Sequence, residues 1–121
     1  MHTPKEIAEQ AVKALDGKNA HDLKLLRTTD VTVLADYFVI CTATSTTQIK
    51  TLADAAEAAL EAMGETKLHR EGYRSGSWVL LDFGAVVIHL FMEEARQFYN
   101  LERLWADAEE VDITGLLGAA E

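Results

Sequence analysis

The sequence predicts a single α/β domain, a mixed five-stranded sheet with helices on its faces. Three observations carry that expectation. Two stretches place apolar residues at helical spacing, Ile7, Ala8, Ala11, Val12 and Leu15, then Ile49, Leu52, Ala53, Ala56, Leu60 and Met63. The run from Asp36 to Thr42 is continuously apolar, the mark of a strand buried on both faces. Trp78–Phe83 and Val86–Phe91 are two apolar strands meeting at a short turn, followed at once by a helical pattern. The resulting order, α-β-β-α-β-β-β-α, places two strands before the second helix and three after it in one sheet.

Each element has a local reason. Thr3 is an N-cap, Pro4 suits the first helical position, and Glu6 completes a capping box. Gly17 stops that helix. His21–Arg27 alternates partly and reads as a short strand; 28–35 is a connector. Ser45 with Gln48 repeats the capping-box pattern at the second helix, which ends at Gly64. Lys67–Arg70 reads as a short polar edge strand and Gly72–Gly76 as a loop. Glu93–Trp105 is helical, with a break near Asn100, whose side chain would cap a second piece. The stretch 107–121 carries five acids with little periodicity, so residues 1–106 are expected to form the domain and 107–121 a flexible acidic tail, ordered only near its start.

Composition sets bounds. With 121 residues and 49% hydrophobic content, folding buries roughly 65% of the unfolded surface, enough for one core. No apolar run approaches the ~18 residues of a membrane span. The N-terminus lacks the basic and apolar regions of a leader, so a cytoplasmic location is expected. Cys41 is the only cysteine and lies in an apolar strand, as a small buried hydrophobe does. Net charge is −9, which disfavours binding through phosphate backbones, because that energy comes from Lys and Arg. RNA contact is expected to be secondary at most. A basic protein partner suits the charge better.

No catalytic residues, cofactor or metal site are expected. The four histidines have no pair at i, i+3 or i+4, and Cys41 has no cysteine partner. No adjacent residue would lower the pKa of Cys41. His89 alternates with apolar neighbours on a strand and reads as a hydrogen-bonded structural histidine. The candidate site is instead a partner-binding surface of Trp78, Arg96 and Tyr99, with Phe91 and Met92 nearby. Trp, Tyr and Arg dominate binding hot spots. Helical arithmetic puts Arg96, Tyr99 and Glu102 on one polar face, with Phe98, Leu101, Leu104 and Trp105 on the buried side. Against this stands the reading of Trp78 as core and of Arg96–Glu102 as a solvated ion pair worth under ~1 kcal/mol.

The ordered pieces Glu71-Gly72, Trp78, Asp82-Phe83-Gly84, Val87-Ile88-His89-Leu90-Phe91, Glu94, Arg96, Phe98-Tyr99, Leu101-Glu102 and Leu104-Trp105, with Asp36–Thr42 and Ser45 upstream, resemble the ribosomal silencing factor (Iojap-like) family. The resemblance spans roughly residues 5 to 106. It implies a nucleotidyltransferase-like α/β fold without catalytic function. It further implies docking on the large ribosomal subunit, through large-subunit ribosomal protein fourteen at the intersubunit face. That docking would block the small subunit and repress translation under nutrient limitation. A homodimer is implied for the free protein. Two departures stand out: Ala43 where the family more often has glycine, and Ala85 where an acidic residue is common. The alternative is a nucleotidyltransferase-like nucleotide-binding protein or enzyme. For that, Thr42-Ala43-Thr44-Ser45 offers a phosphate turn, but no paired carboxylates lie on a nearby strand.

Overall fold

Helix α1 (Pro4–Asp16) begins at the expected cap. Thr3 Oγ1 accepts from the Glu6 N–H at 3.1 Å while Glu6 Oε1 accepts from the Thr3 N–H at 2.8 Å. In this computed structural model, which describes residues 2–117, the stripe Ile7, Ala8, Ala11, Val12 and Leu15 is buried. Strands β1 (His21–Arg27) and β2 (Tyr37–Ala43) follow, and every residue of β2 is buried, as its unbroken apolar run requires. Helix α2 (Thr46–Ala62) starts at Ser45, whose Oγ accepts from the Gln48 N–H at 3.0 Å. The capping box there is not reciprocal. Gln48 Oε1 accepts from the Thr44 N–H at 2.7 Å, and its Nε2 donates to the carbonyls of Lys18 and Asn19, tying the helix start to the loop after α1. Gly64, at φ +92°, turns the chain out of α2.

The remaining elements are β3 (His69–Glu71), β4 (Trp78–Asp82), β5 (Val86–Met92), α3 (Glu93–Tyr99), α4 (Leu101–Leu104) and β6 (Glu109–Val111), then a 3-10 turn at Thr114–Leu116. The sheet runs β3-β4-β5-β2-β1-β6, with β2 and β5 parallel and every other pair antiparallel. It therefore has six strands rather than five. The sixth comes from the segment whose composition suggested a tail. Leu25 pairs with Val111 and Arg27 with Glu109, and Val111, Ile113 and Leu116 pack against the main core. Counting acids hid those three apolar residues, which bury enough surface to order the segment. The tail expectation for 118–121 lies outside the described residues.

The sheet separates two cores. α1 and α2 cover one face, over Leu25, Val39, Cys41, Val79, Leu81, Ile88 and Leu90. The other face carries Leu26, Phe38, Ile40, Val87 and Phe91, against which Ala95, Leu101, Trp105 and Ala108 pack. On β4 the alternation is plain: Val79 and Leu81 are buried toward the helices, whereas Trp78 and Leu80 are only half-buried on the second face. No helix among the described residues is long and apolar enough to cross a membrane.

Candidate functional site: an aromatic docking surface

Trp78 opens β4 opposite Phe91, and the Met92 N–H closes the strand end by donating to the Ser77 carbonyl at 2.9 Å. The approach to it is tight. Gly72 sits at φ +80°, and a Cβ there would lie 1.9 Å from the Trp78 carbonyl oxygen, so only glycine fits. The indole stacks on Phe91 with centroids 5.1 Å apart and meets the Tyr99 ring at 4.5 Å. Its Nε1–H donates to His89 Nδ1 at 3.2 Å. Trp78 is thus both packed and half-open.

The predicted contact residues divide. Phe91 is fully buried and forms the floor under Trp78, so it offers no surface to a partner. Met92 is half-buried and packs on the helix-side core. Tyr99 is 49% exposed beside Trp78. Arg96 is only 7% exposed. It donates to Glu102 in a fork, Nε to Oε1 at 3.1 Å and Nη2 to Oε2 at 3.0 Å. Its Nη1 donates to the Asp22 carbonyl at 2.8 Å and to Thr42 Oγ1 at 2.7 Å. Hydrogen bonding from Arg96 holds the Glu102 carboxyl below its usual pKa, against the opposing push of partial burial. Lys24 Nζ approaches the same carboxylate at 3.4 Å. Neither the contact role nor the solvated ion pair fits this geometry: Arg96 is an internal clamp. It is drawn inward because α3 follows β5 without a linker and lies against β5 and β2.

Helical arithmetic also fails for two apolar residues. Leu101 and Trp105 pack on the second core, but Phe98 is 81% exposed and Leu104 69% exposed. The cause is Asn100, at φ 46° and ψ 57°. This left-handed residue resets the helix phase, so a 3.6-residue count cannot run through it. Asn100 makes the break through its backbone and gives α4 no side-chain cap. Phe98, Tyr99 and Leu104 line one shallow hollow with Gln97, Asn100 and Arg103. The exposed aromatic and apolar surface left as the candidate is therefore Trp78 and Tyr99, with Phe98 and Leu104 added. The predicted break at Asn100 was the only sequence signal for the latter two.

The turn that would serve a phosphate leaves the same end of the sheet, two strands from Trp78, with Thr42 and Trp78 both level with Phe91. Several of its polar groups are already engaged. Thr42 Oγ1 accepts from Arg96, Ser45 Oγ accepts from the Gln48 N–H, and the Thr44 N–H and hydroxyl both donate to Gln48 Oε1. Asp22, Glu93 and Glu94 line the hollow beside it and oppose an anion. Among the described residues no group of three or more His, Cys, Asp or Glu is placed to hold a metal. Burial pushes the Cys41 thiol up to about 12, so it stays protonated.

The family model described as "Ribosomal silencing factor during starvation" matches residues 1–121. The chain belongs to the ribosomal silencing factor family. It is 36% identical over 112 residues to the ribosomal silencing factor of Halalkalibacterium halodurans, covering 93% of this chain and 96% of that one. A more distant relative, the mouse protein named mitochondrial assembly of ribosomal large subunit protein 1, is 31% identical over 100 residues, covering 80% of this chain and 44% of that one. A crystal structure of a Chromobacterium violaceum protein superposes with a TM-score of 0.85 at 32% identity, covering 99% of this chain and 98% of that one. Within this silencing factor family, relatives carry names of regulators rather than of enzymes.

Proposed function

We propose that this protein silences ribosomes without catalysis, by docking its Trp78–Tyr99 surface on the large subunit and standing where the small subunit must join. The observation that carries the reading is the half-open indole of Trp78. It is held on a buried aromatic floor beside exposed Tyr99, Phe98 and Leu104. Rigid aromatics of this kind dominate binding energy. The net charge of −9 favours encounter with a basic protein, and the family resemblance names large-subunit ribosomal protein fourteen at the intersubunit face. A domain of 121 residues has a radius of gyration of roughly 14 Å, bulk enough to prop open a close-fitting subunit interface.

In this reading Trp78 and Tyr99 touch the partner, joined by Phe98 and Leu104. Phe91 supports the indole from below, Met92 anchors the start of α3, and Arg96 fixes the helix that carries Tyr99. RNA contact is secondary, the protein works in the cytoplasm when nutrients are short, and the free protein is a homodimer. The nucleotidyltransferase-like arrangement of sheet and helices is a scaffold here, since in the turn that would cradle phosphate the Thr44 N–H and hydroxyl bond to Gln48 and the Thr42 hydroxyl accepts from Arg96.

The test is co-sedimentation with purified large and small subunits. Pelleting with the large subunit alone is expected. Trp78→Ala should weaken it by about 30-fold, the ~2 kcal/mol of a hot-spot residue. Failure to pellet with either subunit would sink the proposal.

A further inference from the structure

His89 is a peculiar choice for its position. It lies in the middle of β5 at 5% exposure, ringed by aromatics: Phe38 edge-on at 5.1 Å, Trp78 at 5.9 Å and Phe91 at 6.2 Å between centroids. Its Nδ1 accepts the Trp78 indole N–H at 3.2 Å. An indole nitrogen only donates, so Nδ1 must be unprotonated and the ring proton sits on Nε2. Nε2 is buried and has no hydrogen-bond partner among the described residues. An orphaned buried donor costs stability, and a phenylalanine of similar volume would fill the site without that penalty. Burial also pulls the His89 pKa down to about 4, which keeps the ring neutral and the Nδ1 lone pair available.

An apolar residue could replace the ring's packing. It could not accept the indole N–H. Trp78 is half-buried, so its N–H could bond to water in several rotamers. The histidine selects one of them, with the indole lying between Phe91 and Tyr99. Ordering a contact side chain in advance removes an entropy cost from binding.

We propose that His89 is a positioning residue for the docking face: its Nδ1 locks the Trp78 indole in the orientation a basic ribosomal protein meets. This rests on the docking reading above. His89 itself touches no partner; it acts through Trp78.

Two substitutions separate this role from packing. His89→Phe keeps an aromatic ring and removes the acceptor. His89→Asn loses the ring but places an Oδ1 two bonds from Cβ, where Nδ1 stood. Both are made in a Trp105→Phe background, so that Trp78 supplies the single indole signal. The free proteins are compared by the proton shift of the indole N–H, and their large-subunit affinities by co-sedimentation. His89→Asn should retain the hydrogen-bonded indole shift and near-normal affinity. His89→Phe should lose the shift and bind roughly three- to tenfold more weakly, the ordering cost of one side chain. Affinity that does not follow the indole shift across the two variants would overturn the proposal. So would the reverse pattern, with Phe tolerated and Asn impaired. Should His89→Asn not fold, nitrogen shifts of the unsubstituted His89 decide instead: a proton on Nδ1 would end the idea. Failure of the docking reading looks different, because Trp78→Ala would then pellet as well as the unsubstituted protein.

Discussion

Replacing Arg96 by methionine tests whether the clamp holds the helix that carries Tyr99. The substitution keeps an unbranched apolar stem and removes the guanidinium with its charge and donors. Four hydrogen bonds go, two of them to Glu102 and one each to the Asp22 carbonyl and the Thr42 hydroxyl. Breaking a buried pair by removing one partner costs roughly 3–5 kcal/mol, because the survivor is left uncompensated. Glu102 is only partly buried and keeps Lys24 at 3.4 Å, which puts the expected loss at the low end, about 3 kcal/mol. At an unfolding entropy of ~2.1 cal/mol/K per residue, a chain this long loses about 12 °C in Tm. Urea unfolding followed by circular dichroism should show a lower midpoint at unchanged slope. Glu102→Gln alone should cost less, and the double variant should lose less than the sum of the two, because the charge left behind is gone. Arg96→Lys should recover little, since a point charge cannot reproduce the fork. A loss of 0.5 kcal/mol or less for Arg96→Met would mean an ion pair in water, and the clamp argument would be wrong.

Acid sensitivity should come from the same region. His89, held near 4 in the fold against about 6.5 unfolded, binds its proton only in the unfolded state between those values. Stability therefore falls as pH drops through that window, by about 3 kcal/mol in all, and His89→Phe should flatten the slope of urea midpoint against pH. Glu102 acts lower down: its folded pKa is lowered from 4.5, so its stabilisation is present above 4.5 and is lost as pH falls through the folded value. Phe98→Ser combined with Leu104→Ser should leave stability within about 0.5 kcal/mol, both side chains being largely in solvent, yet weaken co-sedimentation with the large subunit.

What the sequence made legible follows from how local each signal is. The capping box at Thr3 and Glu6, the stripe of α1 and the all-buried run of β2 depend on neighbours within a few residues, and each appears where expected. So does the β4–β5 hairpin. The residues that escaped are those whose environment is set by distant chain. Arg96 reads as a surface residue until β1 and β2 bring the Asp22 carbonyl and the Thr42 hydroxyl to it, 74 and 54 positions away. Phe91 reads as a contact candidate until the second core closes over it. β6 hid in an acidic composition because pairing with β1, not propensity, makes it a strand. Phe98 and Leu104 escape for a different reason: a 3.6-residue count assigns them to the buried face only if the helix runs unbroken, and left-handed Asn100 breaks it.

That break explains how one short helical segment both covers a core and offers a surface. An unbroken helix from Glu93 to Trp105 would carry a single apolar stripe, and burying it would leave little for a partner. The left-handed turn at Asn100 divides the work instead. Past the break, Leu101 and Trp105 seal the second core, with Trp105 edge-on to Phe38 at 5.5 Å. Before it, Tyr99 reaches Trp78 at 4.5 Å while Phe98 points to solvent. Such a break needs something to hold its two sides, since α4 has only four residues and no side-chain cap. The Arg96–Glu102 fork spans it, one partner on each side, and anchors both to the sheet through Thr42 and Asp22. Arg96, which hot-spot logic puts on the surface, thus works behind it, and Phe98 and Leu104, which helical arithmetic puts inside, are the side chains left in solvent.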